Sequence, residues 1–184
     1  MEKYFDLFLN FVVSPKEAIQ QIKKDNYLGF GAVIFIFAIL AEVAGQAFLM
    51  ARWTGFSTFH IREFLLGIFI VFVFLILVTA WVHFVSSFFS RENNIRTTLA
   101  VFLMCFIPLF FSFPLKIIFT TWLPFPLLWY LIITFLTSLW IFSLFVISIK
   151  NVYSLTKNQT FIVIFSPLIL IVLFSILTLF STRL

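Results

Sequence analysis

A chain of 184 residues has the length of one domain, but 63% of its residues are hydrophobic and only 10% are charged, against about 25% charged in a soluble protein. A soluble domain of about 150 residues still leaves roughly a third of its unfolded-chain surface in water, so this composition excludes a water-soluble fold. With 30 Phe and 21% aromatic residues it excludes a disordered chain as well. The formal charge of +5 is no sign of nucleic acid, because the basic residues flank apolar runs and form no patch with interleaved aromatics.

From the N-terminus, Tyr4, Phe5, Phe8, Phe11 and Val12 recur at helical spacing, and Met1 to Val13 is expected to form an interfacial helix. Ser14-Pro15-Lys16-Glu17 has the form of a helix start, with a Ser cap, Pro at the first position and Glu three residues after the cap. A helix from Pro15 to Asp25 would put Ala18, Ile19 and Ile22 on one face, and would offer Lys16, Lys23 and Lys24 to an anionic inner leaflet. Residues 1–27 are therefore read as a cytoplasmic, interfacial amphipathic segment lying on the membrane. Asp6 and Asn10 interrupt the opening, so the segment does not read as a cleaved signal peptide.

Residues 28–184 are read as the transmembrane domain. Five runs have the length of about 20 apolar residues that a span needs: Leu28 to Ala51, Phe64 to Phe89, Leu99 to Phe119, Leu127 to Ile149 and Phe161 to Phe180. The breaks between them, Arg52 to Glu63, Ser90 to Thr98, Thr120 to Pro126 and Lys150 to Thr160, are short and polar. Backbone groups in lipid must be satisfied within their own segment, and the runs lack a barrel's alternation, so an all-α polytopic bundle of five transmembrane helices is expected. Lys3, Lys16, Lys23, Lys24, Arg91, Arg96, Lys150 and Lys157 fall on one side, against Arg52, Arg62 and Arg183 on the other, with Lys116 near that end of its helix. The imbalance predicts a cytoplasmic N-terminus and a C-terminus across the membrane. The Asn158 sequon would then face the cytoplasm and stay unmodified.

Glu42 is the sharpest single feature, since an acid inside a span costs about 2.5–3.5 kcal/mol on insertion scales. It shares a helical face with Ala38, Ala41, Gly45 and Leu49, small residues that allow close helix approach, and Gln46 lies one turn away. Three readings stand: a neutral acid hydrogen-bonded to a neighbouring helix, a proton or cation relay, and a contact with a partner. Lys116 could pair with Glu42, closing a depth difference of roughly 9 Å along the helices, or snorkel to the outer headgroups. Thr134, Thr137, Ser138 and Ser148 are expected on one face of the fourth span as interhelical glue, with a polar pathway as the alternative. The candidate intramembrane polar site is thus Glu42, Gln46, Lys116, Thr134 and Ser138. Pro108, Pro114 and Pro167 are expected to kink their spans, and Trp53, Trp122 and Trp129 to anchor the outer interface.

Catalytic groups are not evident. His60, His83 and Cys105 are not expected to form a three-ligand zinc site by themselves, and there is no His-Glu-x-x-His pair. Gly29-Phe30-Gly31 lacks the spacing of a phosphate loop, and Ser86 and Ser87 lie too close to His83 in sequence for a triad. His83 reads as a satisfied interfacial histidine ahead of a proton shuttle. Neither an enzyme nor a cofactor is expected.

The Ser-Pro-x-Glu-Ala helix before five spans, the proline-centred third span and the very short loop before the fourth resemble the Yip family of Ypt-interacting five-pass membrane proteins. Pro108 matches the family's Gly-Tyr-x-x-Val-x-x-Pro, Phe102 stands conservatively at the Tyr, and Val101 and Cys105 depart from it. The loop with Tyr153-Ser154-Leu155-Thr156 is similar in placement. The Asp-Leu-Tyr-Gly-Pro motif of eukaryotic members is absent, with only Ser14-Pro15 near its place, so Rab-type GTPase binding is not carried over. The compact form is similar to the prokaryotic branch, which suggests a bacterial inner membrane. The resemblance implies a non-catalytic protein that binds or organises membrane proteins or lipids, with lipids, other membrane proteins or a second copy as partners and no nucleic acid. The alternative is a small transporter or transporter subunit using Glu42.

Overall fold

Unbroken apolar runs leave a backbone in lipid no partner but itself, and every regular element in the computed structural model is a helix among the described residues, which are 2–25, 27–54, 61–90 and 94–167. The elements are α1 (Glu2–Val13), α2 (Pro15–Lys24), α3 (Leu28–Thr54), α4 (Ile61–Ser87), α5 (Ile95–Met104), α6 (Pro108–Trp122) and α7 (Pro126–Val152), with a further helical stretch at 157–167. Four segments are long and apolar enough to cross a membrane: Leu28–Leu49, Leu65–Ser87, Ile95–Trp122 and Pro126–Val152. The expected fifth, Phe161 to Phe180, is helical as far as Pro167, and 168–180 lies outside the described residues. So do residues 55–60 of the expected loop Arg52 to Glu63, His60 included, while its two ends belong to helices. The helices run past the apolar limits read from sequence because hydrogen bonding continues after hydropathy ends. α7, for example, continues to Val152, where the Asn151 side-chain Nδ2 also donates to the Ile147 carbonyl at 2.6 Å.

The third span is two helices, and Pro108 is the reason. Proline has no N–H to give and its ring collides with the carbonyl one turn back, so the chain tightens just ahead of it. Cys105 N bonds to both Val101 O and Phe102 O at 3.1 Å, and Ile107 N reaches Met104 O at 3.0 Å. α6 then restarts with Pro108 in its first turn, where a missing N–H costs little. Pro114, the other expected kink, sits inside α6, which continues past it.

Helix directions follow from the contact pairs. A Cβ on Gly31 would lie 2.8 Å from the Ala100 carbonyl oxygen, one on Gly45 would lie 3.1 Å from the Phe113 ring, and the Phe35 and Phe106 rings are 5.1 Å apart. α3 is therefore parallel to α5 and α6, in close contact where the glycine allows it. α7 is antiparallel, with Phe119 against Trp129 at 5.4 Å, Phe111 against Trp140 at 5.8 Å and Phe102 against Phe145 at 4.8 Å.

α1 and α2 form a hairpin closed by Lys3 Nζ and Asp25 Oδ2 at 2.6 Å. The helix expected at Pro15 is present, but its details differ in two ways. Ser14 makes no side-chain cap; α1 runs directly into α2, with the Ser14 amide bonded to Asn10 O at 2.7 Å and the Glu17 amide to the Ser14 carbonyl at 3.0 Å. The face of Ala18, Ile19 and Ile22, expected to meet lipid, is buried in the protein core, where α2 packs on α1, α5 and α7. Lys16, Lys23 and Lys24 remain exposed on the opposite side.

Candidate functional site: a buried ion pair between the third and first spans

On α3, Ala38, Glu42, Gly45 and Leu49 line the face turned to α6, and Ala38, Gly45 and Leu49 are buried. The parallel register sets Glu42 opposite Ser112, with Lys116 one turn further out. A helical side chain leans toward its own N-terminus, so the Lys116 stem reaches back across that turn. Its Nζ donates to Glu42 Oε1 at 2.5 Å. Ser112 Oγ donates to Oε2 at 3.4 Å, and Gln46 Nε2 to Oε1 at 3.2 Å. The ammonium also stands 5.0 Å from the centre of the Tyr130 ring on α7, within cation–π range. Lys116 is 1% exposed, so it does not snorkel outward.

Two isolated charges would cost about 5–7 kcal/mol together on the insertion scale. Direct contact returns about 4 kcal/mol or more at an effective dielectric near 20, and three further groups contribute hydrogen bonds and ring contact. The pair is thus near balance when intact and costly when halved. At the C-terminal ends of α3 and α6 Arg52 Nη2 approaches the Thr121 carbonyl at 3.5 Å, keeping the two helices level.

Glu42, Gln46 and Lys116 come together as expected candidates; Thr134, its Oγ1 buried, lies beside Tyr130 at the margin of the site, and Ser138 does not join them. Ser138 is exposed, and its Oγ donates to the Thr134 carbonyl at 2.8 Å. The buried stripe of α7 runs through Ile133, Thr137, Leu144 and Ser148, and Thr134 and Ser138 sit one residue, about 100°, around the helix from it. Of the four hydroxyls, Thr137 and Ser148 are buried residues and the Thr134 Oγ1 is buried as well, while Ser138 faces outward; Ser148 Oγ lies 3.3 Å from Cys105 Sγ.

A second polar cluster sits at the other end of the bundle. His83 Nδ1 is 2.9 Å from Tyr153 Oη, which is 2.8 Å from Thr98 Oγ1, and Thr98 Oγ1 lies 3.2 Å from the Asn94 carbonyl. Burial raises the pKa of the Tyr153 phenol above its ordinary range, so it stays neutral. His83 is a satisfied histidine, as the sequence reading favours. Thr98, Ser112 and Tyr130 were not singled out from sequence, where each reads as an ordinary interfacial or core residue, and Tyr153 entered only as part of the loop that resembles the family's.

Among the described residues no three His, Cys, Asp or Glu side chains converge as a metal requires. No curated protein and no solved structure matches the chain. The Yip1 domain model matches residues 9–179, a stretch holding the α2 start, the proline-broken third span and the buried pair. This integral membrane protein belongs to the Yip1 domain family.

Proposed function

We propose that the chain is a non-catalytic membrane protein that binds or organises other membrane proteins or lipids, as five spans with a cytoplasmic N-terminus in a bacterial inner membrane. The observation that carries this is the internal satisfaction of Glu42, whose carboxylate is taken by Lys116, Gln46 and Ser112. A group held that way serves helix packing. The surface left for interaction is apolar: Leu66, Phe69, Ile70, Phe74 and Leu77 of α4 are each more than half exposed within the chain, and such a face meets acyl chains or another helix. A photo-reactive residue at Phe74 should crosslink lipid or a membrane protein in native membranes, while one at Leu75, which is 3% exposed, should not. Reconstituted protein should carry no proton or cation flux above that of empty liposomes. A flux abolished by Glu42→Gln in a folded variant would overturn the proposal in favour of a transporter.

A further inference from the structure

Where α2 ends and α3 and α5 begin, a cleft of about 220 Å³ is walled by Lys23, Lys24, Asp25, Tyr27, Asn94 and Arg96, with Ile22 and Ala100 also lining it. We propose that this cleft binds one phosphate-bearing anion, and that its source is the headgroup of an anionic phospholipid.

Charge is the first argument. Among the described residues, three cations line the cleft against one carboxylate, that of Asp25, which is already engaged by Lys3 Nζ at 2.6 Å. Lys24 and Arg96 approach from different elements and both are exposed, a guanidinium and an ammonium able to meet separate oxygens of one phosphate. The N-termini of the parallel helices α3 and α5 lie on this side, adding the positive ends of two helix dipoles. The α5 amides are not the ligands. Arg96 N and Thr97 N donate to Asn94 Oδ1 at 3.1 and 3.2 Å, which leaves the Asn94 Nδ2 group as a neutral donor at the wall.

Position is the second argument. Ile95–Trp122 is 28 residues, about 42 Å of helix at 1.5 Å per residue, and so exceeds the hydrocarbon core by about 12 Å. With Trp122 at the outer interface, the first turn of α5 stands in the opposite headgroup layer. The cleft is smaller than the roughly 300–1,000 Å³ of pockets that enclose whole ligands. It suits a headgroup whose tails stay in the bilayer.

This inference rests on the lipid-binding side of the proposed function and is tested separately from it. Full-length protein in a neutral detergent would be titrated with short-chain phosphatidylglycerol, short-chain phosphatidylcholine and inorganic phosphate, with binding read by native mass spectrometry and thermal shift. Phosphatidylglycerol should bind saturably, and Lys24→Gln and Arg96→Gln should each weaken it about tenfold, the worth of one charged hydrogen bond. Arg96→Lys should recover part of that loss. Lys157→Gln, an exposed cation outside the cleft, should change binding less than about twofold, as a solvent-screened charge does. Equal weakening by the Lys157 variant would overturn the site in favour of diffuse attraction, as would equal binding of phosphatidylcholine. Inorganic phosphate binding as tightly as phosphatidylglycerol would overturn the lipid source. Neither failure touches the crosslinking and flux tests above, whose residues lie elsewhere.

Discussion

Glu42→Gln separates the structure's account of the intramembrane site from the simplest sequence account. An acid held as neutral helix glue would tolerate glutamine, which keeps size and hydrogen bonding. Here the partner is a lysine with 1% exposure, and its Nζ contacts the carboxylate at 2.5 Å. Glutamine therefore strands a buried ammonium with only Tyr130 and a carboxamide for company. Removing one member of a buried pair costs about 3–5 kcal/mol, while replacing both with apolar residues of similar volume is often close to neutral. The predicted order of stability is the parent and Glu42→Met/Lys116→Met together at the top, with Glu42→Gln and Lys116→Met each about 3 kcal/mol or more below. Thermal unfolding in mild detergent, supported by titration with a denaturing detergent, would measure the parent, Glu42→Met, Lys116→Met and the double variant as a double-mutant cycle, with Glu42→Gln beside them. If Glu42→Gln falls within about 0.5 kcal/mol of the parent, the pair does not carry the charge assigned to it, since that is the range of substitutions remote from any such feature.

Gly31→Ala should destabilise by about 1–3 kcal/mol, because its Cβ would meet the Ala100 carbonyl oxygen at 2.8 Å, whereas Gly29→Ala, with nothing within 4 Å, should be neutral or slightly stabilising in the same melt. Tyr153→Phe should cost about 1–3 kcal/mol by removing the hydroxyl that bridges His83 and Thr98, and a silent variant would show that the cluster is not closed. The Lys3 ammonium holds the Asp25 carboxyl below its ordinary 3.8, and Asp25 raises Lys3 above 10.5. The hairpin contact is therefore fully present between those values, lost as pH falls through the lowered Asp25 pKa or rises through the raised Lys3 pKa. Spin labels at Phe5 and Gln20 should show the distance distribution broaden at the acid end, and Asp25→Asn should remove that response. For orientation, Leu123→Cys should react with an impermeant thiol reagent applied outside while Asn158→Cys is protected, against a low background because Cys105 is fully buried; the reverse labelling would invert the topology.

Much of this architecture is local in origin and was legible in the chain. Long apolar runs in lipid can only be helices, so the four spans among the described residues and the α2 helix follow from composition and spacing. The break before Pro108 follows from a missing N–H. The identity of the polar candidates was also legible, since Glu42, Gln46 and Lys116 stand out wherever hydropathy is high. Their partners were not. Lys116 is 74 positions from Glu42, and whether it pairs or snorkels depends on the offset between two helices, which no residue pattern states. The same holds for Tyr153, 70 positions from His83.

Rotation about a helix axis is the other quantity that only packing decides. Thr134 and Ser138 were placed with Thr137 and Ser148 by residue type, but α7 turns its Ile133–Thr137–Leu144–Ser148 stripe inward. One residue of rotation, about 100°, separates glue from margin. In a helix apolar all round, several faces are equally willing to meet lipid, so periodicity carries little directional information. α2 shows the converse case, where Ala18, Ile19 and Ile22 do define a face but protein and lipid satisfy it equally well. Sequence determined that this chain lives in a bilayer as helices with a few costly polar groups. Tertiary structure decided which of those groups meet, because burial of apolar surface is non-directional while an ion pair requires its two atoms within a few ångströms.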